Sequence, residues 1–301
     1  TPGVHANKQG GGFGDSEIYM RGFDNSNIAM MVNGVPMNDM EWGGVYWSNW
    51  AGLSDVARSI QTQRGLGASK VSAPSVGGTI NIVTRNLDAK KGGFLSYGMG
   101  NDGMNKILFS VSSGITKNGW AFTLMGGKNW GNGYIQGTAF EGYNWFASIS
   151  KRINEEHQLT LTAFGAPQWH DQRNSSYGGL TIADWKMVET VYGVKDHKYN
   201  PTFGYRSNGE SYNSYRNSYH KPLISLNHQW QINSKSSLST SLYVSLGRGS
   251  GFSGQGNTEF SPYSYTSWRG AYKGTLYDTF RRSDGTFDYA AIEEINRTSE
   301  Y

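Results

Sequence analysis

Gln63–Asn86 read QRGLGASKVSAPSVGGTINIVTRN. Two runs of glycine and small residues lead into Thr79-Ile80-Asn81-Ile82-Val83-Thr84, an apolar, β-branched run with strand character. Glycine this dense serves one of three ends: it cradles a phosphate, bends a strand, or lines a channel. The phosphate reading fails on spacing. Gly65-Leu66-Gly67-Ala68-Ser69-Lys70 lacks the interval of a P-loop, and no clear strand–loop–helix unit surrounds it.

Working outward, the composition narrows the class. The chain has 301 residues, 37% hydrophobic and 17% charged, with a mean hydropathy of -0.57. It nevertheless carries 19 Tyr, 13 Phe, 10 Trp and 41 Gly. Disorder needs high charge and few aromatics, so this balance points instead to many short strands joined by glycine turns. No run of apolar residues is long enough for a transmembrane helix. A membrane barrel stays open, because its strands need only one apolar face. Cysteine is absent, which removes disulfides and thiolate metal sites. The formal charge is +4 and the basic residues are scattered, so nucleic acid is not an expected partner.

The chain divides by pattern. Residues 1–86 hold short apolar runs between glycine and asparagine turns. Ile18–Arg21, Ile28–Val32, Ala57–Gln63 and Ile80–Thr84 read as strands, and Asn33-Gly34 is a hairpin signal after the second. Past Gly92 the period becomes two. Seven segments follow: Gly93–Met99, Asn105–Thr116, Trp120–Trp130, Tyr143–Ile153, Gln158–Pro167, Tyr219–Gln231 and Ser237–Leu246. In the fifth, Leu159, Leu161 and Ala163 share one face, with Thr160 and Thr162 on the other. Most segments have about ten residues, the length of a tilted strand crossing a bilayer. Thr116–Gly119, Asn154–His157 and Ile232–Ser236 are tight polar turns. Of the alternate connections, Asn101–Met104 is short, while Gly131–Gly142, Ala166–Ser218 and the chain beyond Gly247 are long. A soluble β-sandwich also alternates faces, but nothing makes it sort loops by length in this way. Within the longest loop, Ile182, Trp185, Val188 and Tyr192 fall on one helical face, with Gly193 as a stop. That helix either packs on its own loop or touches a ligand directly.

Arg21-Gly22-Phe23, Val32-Asn33-Gly34-Val35-Pro36, Arg64-Gly65 and Gly77-Gly78-Thr79-Ile80-Asn81-Ile82-Val83-Thr84 occur in that order and lead into the alternating segments. Together they resemble the plug domain of TonB-dependent outer-membrane receptors entering the first strands of its barrel. The resemblance spans the whole chain. The fold it implies is a mixed α+β plug domain inside an antiparallel transmembrane β-barrel. Residues 1–86 are expected to be the C-terminal part of the plug, and residues 92–301 the first seven or so strands with their extracellular loops. Barrels of this kind have about twenty-two strands, so the chain reads as part of a longer receptor.

The resemblance implies an outer-membrane receptor of a Gram-negative bacterium that binds a scarce nutrient (siderophore, haem, vitamin, peptide or glycan) and imports it with energy delivered through TonB. Its implied partners are TonB with its inner-membrane motor, outer-membrane lipid, the small or oligomeric nutrient, and a surface lipoprotein. The alternative is a barrel used for adhesion or assembly without transport. No cofactor, metal or catalytic centre is expected, since no protease helix, nucleophile elbow or paired catalytic motif is present. His170-Asp171 is the one suggestive pair, read as a solvated loop feature. Three plug segments should face outward: Asn7–Ser16, Asp24–Asn27 and Met37–Trp50. Within them Phe13, Asp24, Asn25, Asp39, Glu41, Trp42, Tyr46 and Trp47 are the candidate ligand residues. Trp42, Trp47 and Trp50 equally suit a wedge between plug and wall, Trp50 above all. Arg21 and Arg64 match plug arginines that pair with barrel glutamates as a lock. Gly65, Gly77 and Gly78 match plug glycines that let the backbone pass close to the barrel wall.

Overall fold

Asn33 (φ +52°) and Gly34 (φ +82°) both adopt left-handed conformations, the requirement of a two-residue hairpin turn. They reverse the chain between β3 (Ile28–Val32) and β4 (Val35–Pro36). The computed structural model in which this turn sits describes residues 3–8, 13–14, 16–65, 75–85, 87, 89–173, 180–252 and 280–298. The Leu66–Lys70 glycine run lies outside them. Upstream, β1 (Val4–Lys8) and β2 (Ser16–Met20) form an antiparallel pair. Downstream come a short helix, α1 (Leu53–Val56), then β5 (Ala57–Arg64) and β6 (Gly78–Thr84). The strand order is β4-β3-β6-β5, with β3 and β6 parallel. All five β3 residues are buried, as expected for a strand covered on both faces. Asn33 also ties the turn to β6, where its side chain bonds the Thr84 hydroxyl and the Thr84 N–H, both at 2.9 Å.

The remaining strands form one antiparallel wall. It starts with β7 (Gly92–Met99), β8 (Asn105–Ser112), β9 (Trp120–Gly131), β10 (Phe140–Arg152), β11 (His157–Gly165) and β12 (Gln168–Asp171). An outer segment then builds α2 (Ile182–Tyr192), β13 (Phe203–Tyr205) and β14 (Ser211–Asn213). The wall resumes with β15 (Arg216–His220), β16 (Leu223–Gln231), β17 (Ser237–Ser245) and β18 (Arg248–Phe252). β11 and β12 are one span broken at Ala166-Pro167, and β15 and β16 one span broken at Lys221-Pro222. Proline has no N–H for the ladder. β17 and β18 make a third broken span, so among the described residues the wall is an open meander of seven spans. The second span ends at Ser112, not Thr116, because Ser113 to Gly119 turn back on themselves through Thr116 and Trp120.

The wall is inverted relative to a water-soluble sheet. Ile107, Phe109 and Val111 of β8, Phe122 and Leu124 of β9, Leu161 of β11, and Leu238, Leu242 and Val244 of β17 all point away from the plug and are 41–66% exposed. Leu246, just past β17, is exposed as well, and Leu159 is half-buried. The inward positions are Thr123, Ser148, Ser150, Thr160, Thr162 and Ser225, all buried. An apolar band on the outer face of a sheet whose inner face is hydroxyl-lined suits lipid outside and a polar lumen inside. Among the described residues, no helix is long and apolar enough to cross a membrane.

The plug sits on the inner face. Leu108, Met125, Phe146, Phe164 and Leu223 reach inward from the wall and join one core with Met20, Ile28, Met30, Val32, Trp50, Val56 and Ile80 of the plug. Each such side chain taken out of water contributes about 1.5–3 kcal/mol. Short turns (113–119, 153–156 and 232–236) close one end of the wall. The outer segment and the other long connections leave the opposite end. There β13 pairs with β14 and with β19 (Phe287–Asp288), which runs into α3 (Tyr289–Thr298). Lys198 bridges this platform to Asp102 of the first hairpin at 3.2 Å, and Asn213 donates to the Gly137 carbonyl at 2.7 Å.

Candidate ligand site

Two plug loops share one corner at the loop-bearing end. Asp24 caps a single 3-10 turn (Asn25–Asn27), accepting from the Ser26 N–H and hydroxyl and from Asn27 Nδ2. Those donors hold its carboxyl below the usual carboxylate range. Asn25 is buried and donates to the Val45 carbonyl at 3.1 Å, joining this turn to the loop over 37–46. That loop closes through Asp39 and Gly44, with Asn38 bonding back to Ile28 and Gly43. Asp39 accepts from the N–H groups of Trp42 and Glu41, at 2.9 and 3.0 Å. These bonds, with Lys221 of the wall nearby, hold its carboxyl low. Each aspartate therefore uses its Oδ1 to shape a turn.

Beside these turns the loop presents an exposed apolar crest. Trp42 and Tyr46 are about half exposed, with ring centroids 4.9 Å apart, and Met40 is fully exposed. Glu41 stands exposed beside them. Gly44 permits this arrangement, because a Cβ there would overlap the Trp42 ring. Trp47 turns away to pack on the core, with its indole N–H buried and unpaired, and Trp50 is buried against Phe164 at 5.7 Å. Phe13 stands apart from the crest. It stacks on Phe140 at 4.3 Å and meets His170 edge-on at 5.7 Å, so it touches the wall. The structure thus brings Asp24, Asn25, Asp39, Glu41, Trp42 and Tyr46 together, and separates Phe13 and Trp47 from them.

Two sequence expectations are corrected by the geometry. His170 and Asp171 are no solvated loop pair, because they lie on β12 and are buried. His170 Nδ1 is 2.6 Å from Gln168 Oε1, and its Nε2 meets the Gln172 amide nitrogen. Asp171 takes a bidentate pair of bonds from Arg216 at 2.6 and 2.9 Å. Among the described residues, Gly77 and Gly78 meet the plug itself and not the wall. A Cβ on Gly77 would lie 2.7 Å from the Asn27 carbonyl, and one on Gly78 would overlap the Gln63 carbonyl and the Met20 sulfur. Their role is close packing within the plug. Gly65 (φ +72°) likewise has Arg21 as its neighbour. Arg21 and Arg64 are exposed, share the corner around Gly3 and Gly65, and have no carboxylate partner among the described residues.

Sequence reasoning missed Met40, although it sits between Asp39 and Glu41 in the loop already singled out, and it missed Lys221, which has no local signal. It also missed a concave surface away from the crest. A cleft of about 400 Å³ opens among the outer loops, lined by Asn132, Tyr134, Gln136, Asp196 and Lys198. The outer helix α2 packs on its own loop. Val188 is buried and Trp185 and Tyr192 partly so, while Ile182 is exposed.

Residues 1–79 match the family described as TonB-dependent Receptor Plug Domain. The chain is 24% identical over 178 residues to the vitamin B12 transporter BtuB of Vibrio vulnificus, covering 57% of this chain and 28% of that protein. It is 30% identical over 189 residues to the protein of the same name from Photobacterium profundum, covering 59% and 30%. Its fold is similar to that of the ferric citrate transporter FecA in the unliganded form, with a TM-score of 0.60, 20% identity, and coverage of 85% of this chain and 37% of that one. The chain spans less than a third of the length of the curated relatives it matches.

Proposed function

We propose, for a chain that belongs to the TonB-dependent receptors by its plug domain and wall strands, that the protein binds a scarce nutrient at the loop-bearing face of the plug and imports it across the outer membrane of a Gram-negative bacterium. TonB delivers the energy. The observation that carries this reading is the exposed crest of Met40, Trp42 and Tyr46, held on a plug that packs against the inner face of an inverted wall. Large apolar side chains exposed at the end of a polar lumen need a partner, and rigid aromatics hold a ligand face at little entropic cost. Relatives named as transporters of vitamin B12 and of ferric citrate support a compact chelate or cofactor as cargo.

In this reading Asp24, Asn25 and Asp39 shape the site while Met40, Glu41, Trp42 and Tyr46 meet the ligand. A lock by Arg21 and Arg64 needs carboxylates outside the described residues. The test is uptake of labelled chelates and cofactors by cells carrying the full-length receptor, with and without TonB. Uptake that stops when TonB is removed supports the reading. Ligand capture at the surface with no TonB-dependent entry overturns it in favour of adhesion.

A further inference from the structure

The plug and wall meet through a charged contact that no motif signals. Asp55 lies on α1, directly after the segment Trp47–Trp50. Both its oxygens accept from Lys106 Nζ of β8, at 2.9 and 2.8 Å. Asn144 of β10 donates to Asp55 Oδ2 at 3.5 Å. The polarity is acid on the plug and base on the wall, the reverse of the arginine lock expected from sequence.

The backbone around this pair is cut to fit. Gly52 (φ +83°) begins the α1 turn, and a Cβ on it would overlap the Asn144 side chain. Gly127 of β9 lies on the other side, where a Cβ would overlap Asn144 Oδ1 and lie 3.0 Å from Leu108. Asn144, itself buried, is therefore held between a plug glycine and a wall glycine. The side chains of Asp55 and Lys106 are 16% and 37% exposed, so water reaches the pair and can replace each partner once they separate. A contact of that kind holds register at rest and is not prohibitively costly to open, unlike a fully buried pair.

We propose that Asp55 and Lys106, with Asn144 as spacer, form a charged clasp that sets how readily plug residues 47–56 leave the wall. They are positioning residues for plug movement. The link from clasp to transport rests on the uptake reading above, while the clasp itself is measured without any cargo.

The experiment is hydrogen exchange of the full-length receptor in outer-membrane vesicles, following amides of residues 47–56. Asp55→Asn and Lys106→Gln should each raise their exchange by about tenfold, the range between an exposed and a buried pair. The double exchange of charge, Asp55→Lys with Lys106→Asp, should bring it back toward the parent value, which lost packing alone would not do. Unchanged exchange in both single variants, or no recovery in the double variant, overturns the proposal. Uptake measured on the same variants separates the two readings. Loosened exchange with no TonB-dependent uptake in the parent receptor keeps the clasp and sinks the transport reading.

Discussion

Trp42 and Trp50 show how one residue type serves opposite ends eight positions apart. Trp42 is half exposed on the crest, whereas Trp50 is buried against Phe164 of the wall. Trp42→Ala should leave the unfolding temperature unchanged and weaken cargo affinity by about tenfold, as a central aromatic contact does; ligand titration checks this. Trp50→Ala should cost roughly 3–5 kcal/mol of plug stability through the cavity it leaves, read by denaturant unfolding. Gly52 makes a third case. Its positive φ and its contact with Asn144 mean that Gly52→Ala strains the backbone and displaces a buried side chain at once. We expect a loss of about 1–3 kcal/mol, visible as faster proteolysis of the plug. The aromatic cluster was legible as a string of letters, with Trp50 as the foremost wedge candidate, but that Trp42 faces out while Trp47 turns in was not, because a loop has no period to assign its faces.

At the scale of elements, the outer platform is held by its polar ends as much as by its small core of Phe280, Phe287 and Tyr289. Glu293 of α3 accepts from the Ser207 N–H at 2.9 Å and the Ser207 hydroxyl at 2.6 Å, and from Arg206. These bonds draw its carboxyl down to about 2. A carboxyl whose folded value is depressed adds stability above its ordinary value near 4.5 and loses it as pH falls toward 2. The α3–β13 contact should therefore loosen between those limits, and Glu293→Gln should remove that pH dependence; exchange of the α3 amides against pH is the check. The helix α2 was readable from its spacing and its glycine stop. Gly193 indeed adopts the left-handed cap at φ +67°, and Thr181 with Asp184 closes a capping box. The sheet β14-β13-β19 was not readable, because its strands have only two or three residues and pair across long intervals.

On the scale of the whole molecule, the outer apolar face defines where the protein can live. Leu242 is 66% exposed on the lipid side of β17, next to Ser241 on the lumen side. Leu242→Arg should destabilise the folded barrel by about 2–4 kcal/mol if it lies near the bilayer midplane, while Ser241→Arg should be tolerated far better. Folding of the full-length receptor into vesicles, followed by heat-dependent mobility on gels, distinguishes them.

By itself the sequence determined the strand alternation, the short and long connections, the Asn33-Gly34 hairpin and the α2 helix. All four are local: period two, turn chemistry and capping act over a few residues. The leucine and threonine faces of β11 were distinct from the start, and lipid outside with a polar lumen inside gave them their direction. Tertiary structure alone decided what met across the molecule. It placed Phe13 on Phe140, turned Trp47 inward, set Gly77 and Gly78 against the plug's own carbonyls, and joined Asp55 to Lys106 across fifty-one positions. Such contacts depend on how a plug of one curvature seats on a wall of another, and no short-range pattern in a chain encodes that distance.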